Sequence, residues 1–313
     1  MLASSSNPAI AFFARRDLLG ERPGPVSDVW ELREPLRIIR RQTSDGSWRY
    51  PGRNASLRSP EDYDQIETFR QLAILVEQYG FTREHTAIAR AAEFLLSFQT
   101  SEGDIRGIYG NQYATTYVGA IMELLVKAGY AKDPRIATTF NWLLATRQSD
   151  GGWAIPMRTL GHRYRDFLDV ERHPEPLAPD RSKPFSHLVT GMVLRAFAAD
   201  PNWHDAPEVS RAGELLTSRL FKRDQYADRG DPSYWERVSF PFWFTDIVSA
   251  LDTLSRLGVS PRSAPVATAL QRLSELQRGD GTFALKLLRT RGKDLPWWIC
   301  LAVYRSLRRW RLR

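Results

Sequence analysis

Apolar residues return at intervals of three and four along ten stretches of this chain: residues 27–41, 62–79, 84–98, 112–128, 134–147, 186–199, 206–220, 240–257, 264–277 and 294–308. That spacing gathers them on one face of an α-helix, so each stretch predicts an amphipathic helix. The punctuation agrees. Pro134, Pro207 and Pro261 stand at or just before predicted starts, where a missing N–H costs nothing, and Gly80, Gly129 and Gly258 stand just after predicted ends. A shorter apolar stretch at 8–19 predicts an eleventh helix, and no alternation of convincing length predicts a β-strand.

The predicted helices are of two kinds. One kind, such as that beginning Tyr113-Ala-Thr-Thr116-Tyr117, starts with aromatic and small polar residues and then turns strongly apolar; the other, such as 83–98, keeps Arg and Glu on one face. The first kind is expected inside and the second outside. Two concentric layers that close on themselves make an α/α toroid, so the expectation is one all-α domain over residues 1–313, with five to six helical hairpins in a single barrel. Residues 154–183, rich in Pro, His and Arg, exceed an ordinary connection and are a candidate lid.

A phrase recurs between the helices: Gln42-Thr-Ser-Asp45-Gly46-Ser-Trp48, Gln99-Thr-Ser-Glu102-Gly103, Gln148-Ser-Asp150-Gly151-Gly-Trp153 and Gln277-Arg-Gly-Asp280-Gly281-Thr-Phe283, with a degenerate fifth around Phe221 to Trp235. Gly supplies the freedom to reverse the chain, the acid accepts from nearby backbone N–H groups, and the Gln amide is expected to satisfy a helix-end carbonyl and a neighbouring N–H. The aromatic residue is expected to stack over that amide. These phrases resemble the QW motifs of the terpenoid cyclase and protein prenyltransferase superfamily, from about residue 27 to 308. The resemblance implies an α/α toroid around an aromatic-lined cavity that takes isoprenoid chains. It says less about activity, which lives in the site.

Composition narrows the setting. No run approaches the roughly 18–20 apolar residues that span a bilayer, so a cytoplasmic protein is expected. The single cysteine, Cys300, excludes an internal disulfide framework. The net charge of +8 comes mostly from Arg, and the densest cluster, Arg305 to Arg313 with Trp310 inside it, suits an anionic membrane surface or simply a helix C-terminus. No nucleic-acid-binding motif accompanies the charge.

Candidate chemistry sits at the predicted inner-helix starts. Asp62-Tyr63-Asp64-Gln65 is similar to the Asp-x-Asp-Asp motif with which class II terpene cyclases protonate an alkene or epoxide. Carried over, Asp64 is the proton donor and Asp62 its partner, although Gln65 replaces the last Asp; a helix cap is the simpler role. Asp246, among Phe242, Trp243 and Phe244, is the other candidate acid, since desolvation raises a carboxyl pKa. Tyr113, Tyr117, His187, Trp243, Phe244 and Trp298 are candidate cavity residues, and Arg163 and Arg165 candidate diphosphate or anion ligands. No cofactor is expected, save Mg2+ for a diphosphate substrate. His187, Asp246 and Cys300 supply the residue types of a prenyltransferase zinc site without its spacing. The expected ligand is an isoprenoid or other hydrophobic small molecule, cyclised by protonation. The alternatives are a non-catalytic lipid binder and, from Gly161-His162-Arg163-Tyr164-Arg165, a polysaccharide lyase.

Overall fold

The computed structural model describes residues 1–52, 59–162, 175–288 and 292–311. Among these, eleven principal helices follow one another: α1 (Pro8–Ala14), α2 (Arg33–Ile39), α3 (Pro60–Tyr79), α4 (Thr86–Leu96), α5 (Thr115–Leu125), α6 (Pro134–Ala145), α7 (His187–Ala199), α8 (Pro207–Ser218), α9 (Ile247–Arg256), α10 (Ala264–Glu275) and α11 (Leu295–Arg311). The odd-numbered helices touch in sequence, α1 to α3, α5, α7, α9 and α11, and α11 returns to α1. The inner ring therefore closes, and the even-numbered helices pack outside it as an α/α toroid. The member that closes the ring, α1, comes from the shortest apolar stretch. Six inner helices thus stand against five outer ones among the described residues.

Burial separates the two layers as the apolar patterns predict. In α5 every residue but Tyr117 is buried and in α7 every residue but Ala199, whereas α8 buries only Val209, Ala212, Gly213 and Leu216. A helix buried all round belongs inside; one with a single buried stripe covers it. α5 and α7 approach so closely that a Cβ on Gly119 would lie 2.8 Å from the Val193 Cα.

Two expectations shift. The segment predicted as 240–257 becomes helical only at Ile247, because Asp246 and Ser249 form a reciprocal capping box there. The segment predicted as 27–41 is split at Leu32, whose backbone is extended, into Ser27–Trp30 and α2. The strands are two residues each, β1 (Arg237–Val238) and β2 (Lys286–Leu287), paired in parallel.

The recurring phrase is one joint built several times. In three copies the Gln and the aromatic position, or Ile105 in its place, face each other in an isolated antiparallel bridge. In the first two copies the Gln side chain reaches the next outer helix: Gln42 Nε2 donates to the Ala87 carbonyl in α4, and Gln99 Nε2 to the Arg135 carbonyl and Thr139 hydroxyl in α6, whereas Gln277 Nε2 donates to the Tyr304 hydroxyl on α11. The Trp48 and Trp153 indoles cap the preceding outer helix. Trp48 Nε1 donates to the Ile38 carbonyl, Trp153 Nε1 to Leu143, and Trp235 of the degenerate phrase to Lys222. Each bond contributes about 1 kcal/mol, so the joints set register between layers more than they supply stability.

Gly46 shows how tight the joint is. Its φ is +89°, and a Cβ would stand 2.4 Å from the Arg90 carbonyl oxygen of α4. Gly46→Ala is therefore expected to destabilise the protein by roughly 2–3 kcal/mol, read from urea denaturation midpoints. An unchanged midpoint would show that α4 can move away from the turn without loss.

The described ends of the 154–183 segment are tied to the ring. Gln112, just before α5, donates to the Glu175 carbonyl and accepts from the Leu177 N–H, and Gln148 Nε2 donates to the Asp180 and Lys183 carbonyls. Arg163 and Arg165, together with Tyr164, lie outside the described residues.

Candidate functional site

Two cavities meet inside the ring. The first, about 640 Å3, lies along α3 at Glu67, Phe69, Arg70 and Ile74, and is also lined by residues 239–244, Tyr50 and Leu288. The second, about 430 Å3, lies at the starts of α5 and α7, lined by Thr116, Tyr117 and Leu188 with Tyr109, Met157 and Tyr234. Trp243 and Phe244 line both and form the wall between them. The hollow expected at the centre is therefore present but divided.

The wall belongs to an aromatic cluster. Trp243 meets Phe69 and Tyr117 edge-on at 5.2 and 6.0 Å between ring centres, and Tyr117 meets Phe69 at 5.8 Å and Tyr109 at 5.5 Å. Edge-to-face contacts of this kind hold the rings at fixed angles. Guanidinium groups already stand by the same rings: Arg70 is 5.4 Å from the Trp243 ring centre and Arg229 is 4.0 Å from that of Phe244. Arg229 has a φ of +52°, a conformation most side chains avoid, and it places its charge at the cavity wall.

The second cavity has a polar end. Thr116, at the start of α5, is buried with its hydroxyl unpartnered, and Arg158 pairs with Asp228 on the opposite side. An apolar pocket with a few convergent polar groups is the usual form of a small-molecule site.

Asp246 follows the wall in the chain, two residues after Phe244. It is 1% exposed and lines neither cavity. Its carboxylate accepts from the Ser249 N–H at 2.8 Å, while its own N–H donates to the Ser249 hydroxyl. Burial pushes the carboxyl up to about 7, against the opposing effects of the Ser249 hydrogen bonds and the Arg195 guanidinium. Arg195 is the residue that the sequence reading missed. It is 3% exposed on α7, donates to Glu123 at 2.7 Å and to the Phe244 carbonyl at 3.3 Å, and so ties the wall to α5 and α7. One Nη of Arg195 has no partner. The signal was available: Glu123 and Arg195 are charges in the middle of otherwise apolar inner helices.

The other sequence candidates fall elsewhere. Asp62 forms a capping box with Ser59 at the start of α3. Asp64 holds the Arg49 guanidinium and accepts from the Tyr50 N–H at 2.8 Å, and neither acid lines the two cavities. Gln65, at the position where the motif has Asp, donates to the Arg106 carbonyl. Tyr113 turns to the outer layer, donating to Glu102 and packing on Trp142. Trp298 is buried between Phe240 and Phe13.

His187 stacks on Trp235, with Nδ1 3.2 Å from Asp224 but out of hydrogen-bond alignment, and burial pulls it below its ordinary value. Cys300 donates weakly to the Gly281 carbonyl, and burial pushes its thiol up to about 12. Because His187, Cys300 and Asp246 each serve a different joint, the structure does not assemble them into a zinc set. Among the described residues no three His, Cys, Asp or Glu side chains converge as metal ligands. Nor, among those residues, is any helix long and apolar enough to cross a membrane.

Residues 61–167 match the family model of the squalene-hopene cyclase C-terminal domain. The match covers about a third of the chain, α3 to α6 with Asp62–Gln65 and two of the recurring phrases, and the resemblance to the terpenoid cyclase superfamily stands on it. The chain is also similar to a crystal structure of a protein from Actinoplanes, at 15% identity and a TM-score of 0.33 over 92% of this chain and 100% of that one. A second similar structure is the type II terpene cyclase MstE from Scytonema in its apo form, at 15% identity and a TM-score of 0.30 over 90% of this chain and 97% of that one. No curated protein matches the sequence.

Proposed function

We propose that this chain, whose residues 61–167 carry the repeats of a squalene-hopene cyclase C-terminal domain, binds an elongated apolar molecule of the isoprenoid class in its two cavities and cyclises it by protonation. The observation that carries the reading is Asp246, a carboxyl that burial raises to about 7, two residues beyond an aromatic wall shared by two cavities.

Protonating an alkene requires a neutral acid, and burial supplies one here. The Asp246 O–H bond breaks as a C–H bond forms at one alkene carbon, leaving a carbocation at the other. The carboxylate left behind is favoured by the nearby positive charge of Arg195. Desolvated faces of Trp243, Phe244 and Tyr117 each stabilise a passing cation by about 2 kcal/mol, and loss of a proton from the cyclised cation restores the acid. This chemistry needs no cofactor. Because Asp246 lines neither cavity, proton delivery includes a displacement that brings its carboxyl to one of them.

Incubation with linear isoprenoid hydrocarbons, alcohols and diphosphates, followed by mass-spectrometric product analysis, tests the reading. Cyclic product is expected from the parent protein and not from Asp246→Asn, with the substrate still bound by the variant. Recovery of unchanged isoprenoid from the parent protein would overturn the cyclase reading and leave a lipid binder. Two observations favour that second reading: Asp64 is committed to Arg49, and Arg70 and Arg229 already stand by the aromatic rings.

A further inference from the structure

The opposite end of the ring, where the inner helices finish, holds a separate cleft of about 660 Å3. Six cations line it: Arg16 after α1, Lys127 after α5, Arg256 at the end of α9, and Arg305, Arg308 and Arg309 on α11. With Arg195, which shares Glu123 with Lys127, seven cations meet four carboxylates: Asp17, Glu77, Glu123 and Asp252. The shortfall is uneven. Lys127 has both Glu77 and Glu123, whereas five arginines divide the other two acids.

Asp252 serves Arg256 and Arg309 together. Asp17 serves Arg16 and Arg305 with its carboxylate and Arg308 with its backbone carbonyl, at 2.8 Å. Among the described residues Arg308 has no carboxylate partner. The surplus is felt by Arg309, which burial and the neighbouring charges of Arg256 and Arg305 pull below its ordinary value against the attraction of Asp252. The carbonyl ends of the inner helices, about half a charge each, account for part of this gathering of cations. They do not account for its shape. Arg16 and Arg305 both lie against the Phe13 ring, at 4.8 and 5.2 Å, so two guanidinium groups are held ready beside Arg308.

We propose that this cleft binds a phosphorylated anion through Arg16, Arg305 and Arg308. Guanidinium forks match phosphate oxygens in pairs, and a group carrying two or three negative charges offsets the surplus. Arg16, Arg305 and Arg308 line neither of the aromatic-walled cavities; Arg195, beyond the cleft, joins Glu123 to the wall at the Phe244 carbonyl. The phosphate can belong to a soluble diphosphate or to a lipid headgroup, both of which present the same oxygens.

Calorimetric titration of the full chain with inorganic diphosphate at constant ionic strength tests the proposal, alongside flotation with phosphatidylcholine vesicles made with and without phosphatidic acid. Saturable diphosphate binding is expected, weakened about tenfold or more in Arg308→Ala and in Arg16→Ala, each confirmed folded by circular dichroism. Trp243→Ala should bind diphosphate as the parent does, which separates this site from the cavities. Flotation only with phosphatidic acid, lost in Arg308→Ala, would support the cleft and assign the phosphate to a lipid. Binding of neither probe, or equal binding by parent and both arginine variants, overturns the proposal.

Discussion

Asp246→Asn is expected to be more stable than the parent protein at pH 8 by about 4 kcal/mol, and nearly equal to it below pH 4. In the unfolded chain this carboxyl titrates near 3.8, whereas burial pushes it up to about 7 in the fold. Between those values the folded protein holds a proton that the unfolded chain has released. The stability contributed by the neutral acid is therefore complete below 3.8 and is lost as pH rises through 7. Asparagine keeps the oxygen that accepts from Ser249 and still caps α9, but has no charge to bury. Urea denaturation of both proteins from pH 4 to pH 9 measures the difference. If the two stability curves run parallel, Asp246 is ionised in the fold across that range and its role as a proton donor fails. A variant that gains stability while losing product is the mark of a residue kept for its chemistry.

The second large effect concerns the buried ions. Glu123→Leu should cost about 3–5 kcal/mol, because Arg195, with its side chain 2% exposed, would be left as a charge without its carboxylate. Burial alone pushes Glu123 up, but Arg195 and Lys127 outweigh it and hold the carboxylate below its ordinary range. Lys127 keeps Glu77 in the variant, so the penalty falls on Arg195. Adding Arg195→Met removes the stranded charge, and the double variant is expected to recover most of the loss. Thermal and urea unfolding of the two single variants and the double variant check this. Failure of the second substitution to restore stability would mean that Arg195 acts through its bond to the Phe244 carbonyl rather than through Glu123.

The helices and their layers were legible because they depend on local spacing. Residues three and four apart share a helix face whatever surrounds them, so α5 and α7 announced themselves as inner and α8 as outer. The joints were legible too, since Gly46 and Gly103 stand where the backbone must turn left-handed. Their partners were not. Which carbonyl receives the Gln42 amide depends on α4 lying beside the turn, 45 residues on.

The candidate acids divide on the same principle. Asp62 joins a helix cap, as its sequence neighbours suggest, but only the fold decides that Asp64 is spent on Arg49, that the helix predicted from 240 begins after Asp246, and that the Asp246 carboxyl is buried. A pKa raised by burial is a property of everything within a few ångströms, and no stretch of sequence contains that environment. The Arg-rich tail reads as a basic surface in sequence, yet the fold turns Arg305 and Arg309 inward to Asp17 and Asp252. The amino-acid order alone thus determined the helices, their two layers and the turns between them, because these follow from periodicity and backbone freedom. Closure of the ring by α1, the division of its hollow and the pairing of its buried charges were decided by tertiary structure, because each joins residues that only long-range packing brings together.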